Sequence, residues 1–358
     1  MIKAVMFDTK PYDRESFERV LGDDISLDCY ETRLDSTTVG LAAGYDVVIM
    51  FVNDVADEKV IAELYRLGVK LIALRCAGFN NIDFKAAYGK VHVVRVPAYS
   101  PYAVAEFTMG LLLTSLRRIH KAYNRTREFN FSINGFTGFD LHGKTVGVIG
   151  AGKIGRAFIN ICSGFGMKIL AYDKYPSEGT PAEFCELDRL IAESDVISLH
   201  CPLTDENYHL IDETAISKMK KGVYILNTSR GALIDSEALL EGIKSGKVGA
   251  ACLDVYEEES DIFFDDRSGH ILHDDTLARL LSMPNVLVTS HQAFLTEEAL
   301  GKYRRDDDRE YPRLLRRRAD AQRDLLPLQQ SRSVQEAAPR TLLLTARDKF
   351  FAYSLAVF

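Results

Sequence analysis

The stretch Thr145-Val-Gly-Val-Ile149 runs without a break into Gly150-Ala-Gly152-Lys-Ile-Gly155, and a helical pattern follows. Three glycines at this spacing constrain the chain more than any other feature in it. The first glycine permits a tight turn at the end of a buried strand. The second lets backbone approach a ligand, and the third lets helix and strand pack closely. The helix N-terminus then offers free N–H groups and a positive dipole end to a phosphate above the turn. A plain strand–helix turn could carry the same glycines. Against that stands Asp173, at the end of the next strand pattern and 18 residues past Gly155. A carboxylate there can accept from the hydroxyls of an adenosine ribose and would repel a 2′-phosphate, so NAD is the expected ligand, ahead of NADP.

The rest of the chain fits such a fold. Apolar runs at 4–7, 47–51, 70–74 and 93–96 read as buried parallel strands, with helical stretches such as Asp57–Leu67 between them. A second series begins at Thr145–Ile149 and continues at Lys168–Tyr172, Val196–Leu199, Val223–Leu226, Ala250–Leu253 and Val286–Thr289. Strands alternating with helices imply parallel sheets covered on both faces. The expected fold class is α/β, with two doubly wound parallel-sheet domains and a tail that belongs to neither. The expected boundaries are 1–100, 101–300 and 301–358. From Pro101 to about Arg127 the pattern reads as one long helix opened by a Ser-Pro step.

Composition excludes several classes. At 47% hydrophobic and 27% charged residues, the chain reads as an ordinary soluble globule. The longest apolar run, Met109–Leu116, is far short of the ~20 residues that cross a bilayer. Cysteines 29, 76, 162, 185, 201 and 252 are scattered, with no Cys-x-x-Cys. Reduced thiols in a cytoplasmic protein without a metal site are the expectation. The net charge of −7 gives no sign of a nucleic-acid surface.

Ligand chemistry in an open α/β sheet gathers beyond the carboxyl ends of the strands. Three such ends carry distinctive residues. Asn227-Thr-Ser-Arg230 follows one strand, Asp254-Val-Tyr-Glu-Glu-Glu259 the next, and Ser290-His291-Gln-Ala-Phe294 the last. Reducing a 2-oxo acid needs a cation to hold the carboxylate, and the Arg230 guanidinium can do so through two parallel hydrogen bonds. It also needs a proton donor, and His291 is suited to that. A carboxylate bonded to the histidine would stabilise its imidazolium form. Spacing alone leaves Glu257, Glu258 and Glu259 open for that task. A lone arginine here is commonly a surface ion pair and a lone histidine commonly structural. Their coincidence on one sheet edge is what points to chemistry. His200, at another strand end, reads as contributing shape.

The segments Leu74-Arg-Cys-Ala-Gly-Phe-Asn-Asn-Ile-Asp83, Val96-Pro-Ala-Tyr-Ser-Pro101, Gly150–Gly155, Asn227–Asp235, Leu253–Glu257 and His291–Phe294 closely resemble the D-2-hydroxyacid dehydrogenases, in their D-lactate dehydrogenase branch. The resemblance runs from about Lys3 to Leu300. It implies a flavodoxin-like substrate domain and a Rossmann NAD domain. It places the acid at Glu259 and implies Arg230 on substrate, Glu259 orienting His291, and His291 as proton donor. Backbone at Ala77 and Gly78 and the Tyr99 hydroxyl would meet the substrate, with Phe51 and Phe294 as pocket walls. Lys153, Ile154, Cys201, Pro202, Asn207, Thr228, Ser229 and Asp254 would line the NAD site. It further implies homo-oligomers joined through the NAD domains and the long helix after Pro101. Pyruvate and D-lactate are the expected substrate pair. A larger 2-hydroxy acid such as 2-hydroxyisocaproate and, in a different class, an NAD-sensing scaffold or inactive relative are the alternatives.

After Gly301 the family's returning amphipathic helix is expected, but the chain reads Lys302-Tyr-Arg-Arg-Asp-Asp-Asp-Arg-Glu-Tyr-Pro312, with no helical period. From Lys302 onward there are 13 basic and 8 acidic residues, against an acidic body. Tyr303–Leu315 can be back-translated so that the neighbouring frame reads Ile-Ala-Glu-Thr-Thr-Ile-Glu-Asn-Ile-Arg-Asp-Tyr, an amphipathic helix. A frameshift near codon 302 is therefore expected, with a disordered basic tail as its product.

Overall fold

The computed structural model describes residues 1–299 apart from 19–20, 77, 80, 96–99, 177–178 and 260–261. Ala77, Tyr99 and the tail after Gly301 lie outside the described residues. The chain divides into two compact units. One takes in residues up to 99 with the segment that begins at Thr296, and the other is Ser100–Leu295.

The first unit holds five strands: β1 (Ile2–Met6), β2 (Ile25–Cys29), β3 (Val47–Met50), β4 (Leu71–Leu74) and β5 (His92–Arg95). They form one sheet in the order β2-β1-β3-β4-β5, and every pairing is parallel. This is the flavodoxin-like order expected from the sequence. Every residue of β3 and of β4 is buried, as a parallel sheet covered on both faces requires. The helix Glu58–Arg66 starts where Asp57 accepts a hydrogen bond from Val60 N at 2.9 Å, and it turns Val60, Ile61 and Leu64 inward. β2 was not anticipated. It is an edge strand, none of its residues is fully buried, and Asp28 interrupts its apolar pattern.

The second unit holds β6 (Thr145–Ile149), β7 (Lys168–Tyr172), β8 (Glu183–Phe184), β9 (Val196–Leu199), β10 (Val223–Asn227), β11 (Val248–Leu253) and β12 (Val286–Val288). Their order is β12-β11-β10-β9-β6-β7-β8, again parallel throughout. The chain reverses direction across the sheet at β6, with β7 on one side and β9 on the other. That switch point is where a doubly wound sheet opens a crevice beyond its carboxyl edge.

The long helix expected from Pro101 is two helices, Pro101–Arg117 and Ile119–Arg127. Between them Arg118 adopts left-handed backbone at φ 51°, and its N–H closes on Thr114 O. The first helix buries Met109, Leu112 and Leu116 in the core shared with β6 and the helix Lys153–Gly164. The second buries none of its residues within the unit. No helix among the described residues is long and apolar enough to cross a membrane.

Candidate active site

The glycine turn is built as its spacing requires. Gly150 has φ 94°, and a side chain there would lie 2.5 Å from Cys201 N. A Cβ on Gly155 would lie 1.9 Å from Gly150 O, so the helix Lys153–Gly164 can approach β6 only without one. Gly152 faces open space, with no atom within 4 Å of its Cβ position. It caps the helix with no side-chain hydrogen bond, which leaves the first N–H groups, at Lys153 and Ile154, for a ligand. An open cradle over an uncapped helix end fits a pyrophosphate.

Asp173 stands at the end of β7, beside the turn. Its Oδ2 accepts from Ala151 N at 2.6 Å and its Oδ1 from Tyr175 N at 2.8 Å. Each oxygen retains a lone pair that a ribose hydroxyl could use. Past β9, Asn207 Nδ2 donates to Pro202 O at 2.8 Å, and the Ser229 hydroxyl donates to Cys201 O at 2.5 Å. Thr228 pairs with Thr108 at 2.8 Å, which ties the end of β10 to the helix Pro101–Arg117. Burial pushes the Cys201 thiol up to about 11, so it stands there as an apolar surface and not as a thiolate. His200 packs against the Phe158 ring, with its Nε2 on Ser198 Oγ at 2.8 Å, and desolvation pulls it down to about 3.

The carboxyl ends of β10, β11 and β12 bring the three candidate catalytic residues to the same sheet edge. Arg230 lies three residues past β10, its backbone carbonyl held by Asn227 Nδ2 at 2.9 Å and its Nη1 donating to Ser229 O at 2.7 Å. His291 Nδ1 meets Glu259 Oε1 at 2.7 Å. Glu259 is fixed in turn, because its Oε2 accepts from Tyr256 N at 2.8 Å. The choice among three glutamates is thereby resolved by geometry. Glu257 turns away and joins His209 Nε2 at 2.5 Å, with the Tyr208 and Ser236 hydroxyls also donating to it. The Phe264 ring lies 5.7 Å from the His291 ring, a neighbour that sequence reasoning missed.

Asp254 has a larger task here than lining a cofactor site. It is fully buried, and its carboxylate accepts from Thr289 Oγ1 at 2.6 Å, Gln292 N at 3.0 Å and Ala293 N at 2.8 Å. Burial raises its pKa while these bonds oppose the rise. Asp254 O also accepts from His291 N at 2.7 Å, so one residue staples the whole histidine loop. Phe294 follows on that loop.

In the first unit, Phe51 and Gly78 follow β3 and β4 at the carboxyl edge of the sheet. Asp54 was not anticipated. Its oxygens accept from Leu34 N at 2.6 Å and Phe51 N at 2.5 Å, and burial pushes it up to about 7. No cluster of metal-ligating side chains occurs among the described residues.

Residues 109–293 match the family model for the D-isomer specific 2-hydroxyacid dehydrogenase, NAD binding domain. The chain is 53% identical to a 2-hydroxyacid dehydrogenase homolog of Haemophilus influenzae over 304 residues, 84% of this chain and 92% of that one. It belongs to the D-isomer specific 2-hydroxyacid dehydrogenases. This dehydrogenase is also 52% identical to the D-lactate dehydrogenase of Escherichia coli, with the same shares covered. The apo structure of an Escherichia coli D-lactate dehydrogenase superposes with a TM-score of 0.76 at 50% identity, over 84% of this chain and 92% of that one. The dehydrogenase is thus an NAD-dependent oxidoreductase.

Proposed function

We propose that this dehydrogenase interconverts pyruvate and D-lactate, with Arg230, Glu259 and His291 as its catalytic set. The observation that carries the reading is the 2.7 Å contact of His291 Nδ1 with Glu259 Oε1, on the sheet edge that also bears Arg230. Arg230 binds the substrate carboxylate and polarises the adjoining carbonyl. NADH, when bound, supplies the hydride. With Nδ1 engaged by Glu259, Nε2 of His291 is the nitrogen left to hand a proton to the carbonyl oxygen, and to take it back in the reverse direction. Glu259 fixes the ring's tautomer and offsets the imidazolium charge. The family resemblance assigns substrate contacts to backbone at Ala77 and Gly78 and to the Tyr99 hydroxyl, and the role of pocket wall to Phe51 and to Phe294. Cys201, Pro202, Asn207, Thr228 and Ser229 line the NAD crevice.

Lactate, ahead of a larger acid, is favoured by the two bulky walls and by the likeness to the Escherichia coli D-lactate dehydrogenase. NADH oxidation with pyruvate, 2-oxo-4-methylpentanoate and hydroxypyruvate tests this. The expected order puts pyruvate first in kcat/KM, and a hydrophobic pocket separates it from the branched acid by about 10- to 200-fold per methylene. A branched acid preferred over pyruvate contradicts the reading.

The working form is a homo-oligomer in the cytoplasm, where the six free cysteines stay reduced. The second helix after Pro101 and the segment beyond it carry Tyr123, Phe129, Phe131 and Ile133, all exposed in the single chain. An apolar run of this kind calls for a cover, and a second copy of the NAD domain is the one proposed. The sequence from about residue 302 is a product of the neighbouring reading frame. Resequencing the gene there tests it, and an intact frame through Arg316 contradicts it.

A further inference from the structure

Arg75 directly follows β4 and is 3% exposed. A cation buried so deeply is tolerated only if it is paired and hydrogen-bonded. Two of its partners hold the guanidinium nitrogens, and the Tyr12 hydroxyl is a third neighbour. Nη1 meets Asp13 Oδ1 at 3.0 Å, and Nη2 donates to Asp8 O at 2.5 Å. These two bonds fix the orientation of the plane. The face of that plane lies over the Phe51 ring, with Cζ 4.1 Å from the ring centroid. The main chain of Phe51 is held separately. Its N–H donates to Asp54 Oδ2, and its carbonyl accepts from Asn81 Nδ2 at 2.8 Å. Asn81 Nδ2 also reaches Asp54 O at 2.8 Å, so a single amide bridges both ends of the turn. The backbone bonds set where Phe51 begins. The guanidinium face lies against its ring and acts on the ring's direction.

We propose that Arg75 is a positioning residue that fixes the Phe51 ring and thereby limits the size of the 2-oxo acid side chain the enzyme accepts. It acts through Phe51 and does not touch the substrate. The inference rests on the reading that Phe51 walls the substrate pocket. A planar cation matters here because it offers a face as well as an edge. Lysine could keep the bond to Asp13, but its ammonium has no flat surface on which an aromatic ring can rest.

The test is Arg75→Lys, with Asp13→Asn as a second variant that frees the guanidinium edge while retaining the cation, and Phe51→Ala as control. Steady-state kinetics are measured with pyruvate and with 2-oxo-4-methylpentanoate, after thermal melts establish folding. Arg75→Lys should raise the kcat/KM ratio of the larger acid to pyruvate about tenfold. The change should come from KM for pyruvate, with kcat within about twofold of wild type. Asp13→Asn should shift the ratio in the same direction, and carries the test alone if Arg75→Lys fails to fold. In a Phe51→Ala background the Arg75 effect should vanish, because the two act through one ring. A ratio unchanged in both variants, while Phe51→Ala does shift it, overturns the inference and leaves Arg75 as a structural ion pair. A ratio unchanged in Phe51→Ala overturns the pocket reading and this inference with it.

Discussion

His291 sits in left-handed backbone at φ 52°, a conformation that costs a residue with a Cβ about 1–2 kcal/mol. Asp254 offsets the cost, since its carboxylate and carbonyl take hydrogen bonds from four groups of the same loop. The ring is thereby delivered to Glu259 without depending on surface side chains. A second histidine shows the opposite use of burial. His200 is pulled from its ordinary 6.5 to about 3, so the folded protein keeps it neutral while the unfolded chain protonates it. A base with a depressed folded pKa adds stability that is complete above 6.5 and is lost as pH falls toward 3. From this residue alone, unfolding should cost about 2 kcal/mol less at pH 5 than at pH 7.5. Urea melts at the two pH values measure it. The gap should narrow in His200→Gln, and an equal gap in both proteins would contradict the assignment.

Among the elements, strands with a continuous apolar run were legible from sequence, including the edge strands β5 and β12, and those without one were not. β6, β7 and β9 fall where apolar runs place them, because a strand covered on both faces buries nearly all of its residues. β2 and β8 lie at sheet edges and carry Asp28 and Glu183, so periodicity gave no signal. The break at Arg118 has no glycine or proline to announce it. Arg230 and His291 were legible because strand ends could be located. The choice of Glu259 over Glu257 needed either a family resemblance or the observed bonds. The cluster of Arg75, Asp13 and Asp54 joins residues up to 62 positions apart, and no local pattern encodes such pairs. The glycine turn is the most demanding element. Gly155→Ala places a Cβ against Gly150 O, and should force the helix Lys153–Gly164 off β6. Expected effects are about 1–3 kcal/mol of lost stability and at least tenfold weaker NADH binding, read by thermal melt and fluorescence titration. Unchanged NADH affinity would count against the cradle.

At the scale of the molecule, the proposed chemistry and the proposed assembly fall to different parts of the NAD domain. The catalytic edge is held by buried bonds within the unit, while the segment after Ile119 presents apolar side chains outward. Phe129 is 85% exposed and Ile133 82%, so both are open to the partner copy proposed above. Replacing both with aspartate should shift the protein to a smaller species in analytical ultracentrifugation while leaving the melting behaviour of the isolated subunit intact. A sedimentation coefficient equal to that of wild type would place the interface elsewhere. The same division means that the sequence after residue 302, whatever its frame, bears none of Arg230, Glu259 or His291.

In the proposed mechanism His291, oriented by Glu259, passes the proton while Arg230 holds the acid. The most direct test compares wild type with His291→Gln in NADH oxidation at saturating pyruvate, with NADH affinity measured on both by fluorescence. In His291→Gln kcat should fall about 10²–10⁴-fold, the range general acid catalysis supplies, with NADH affinity unchanged. Full turnover by His291→Gln would contradict it.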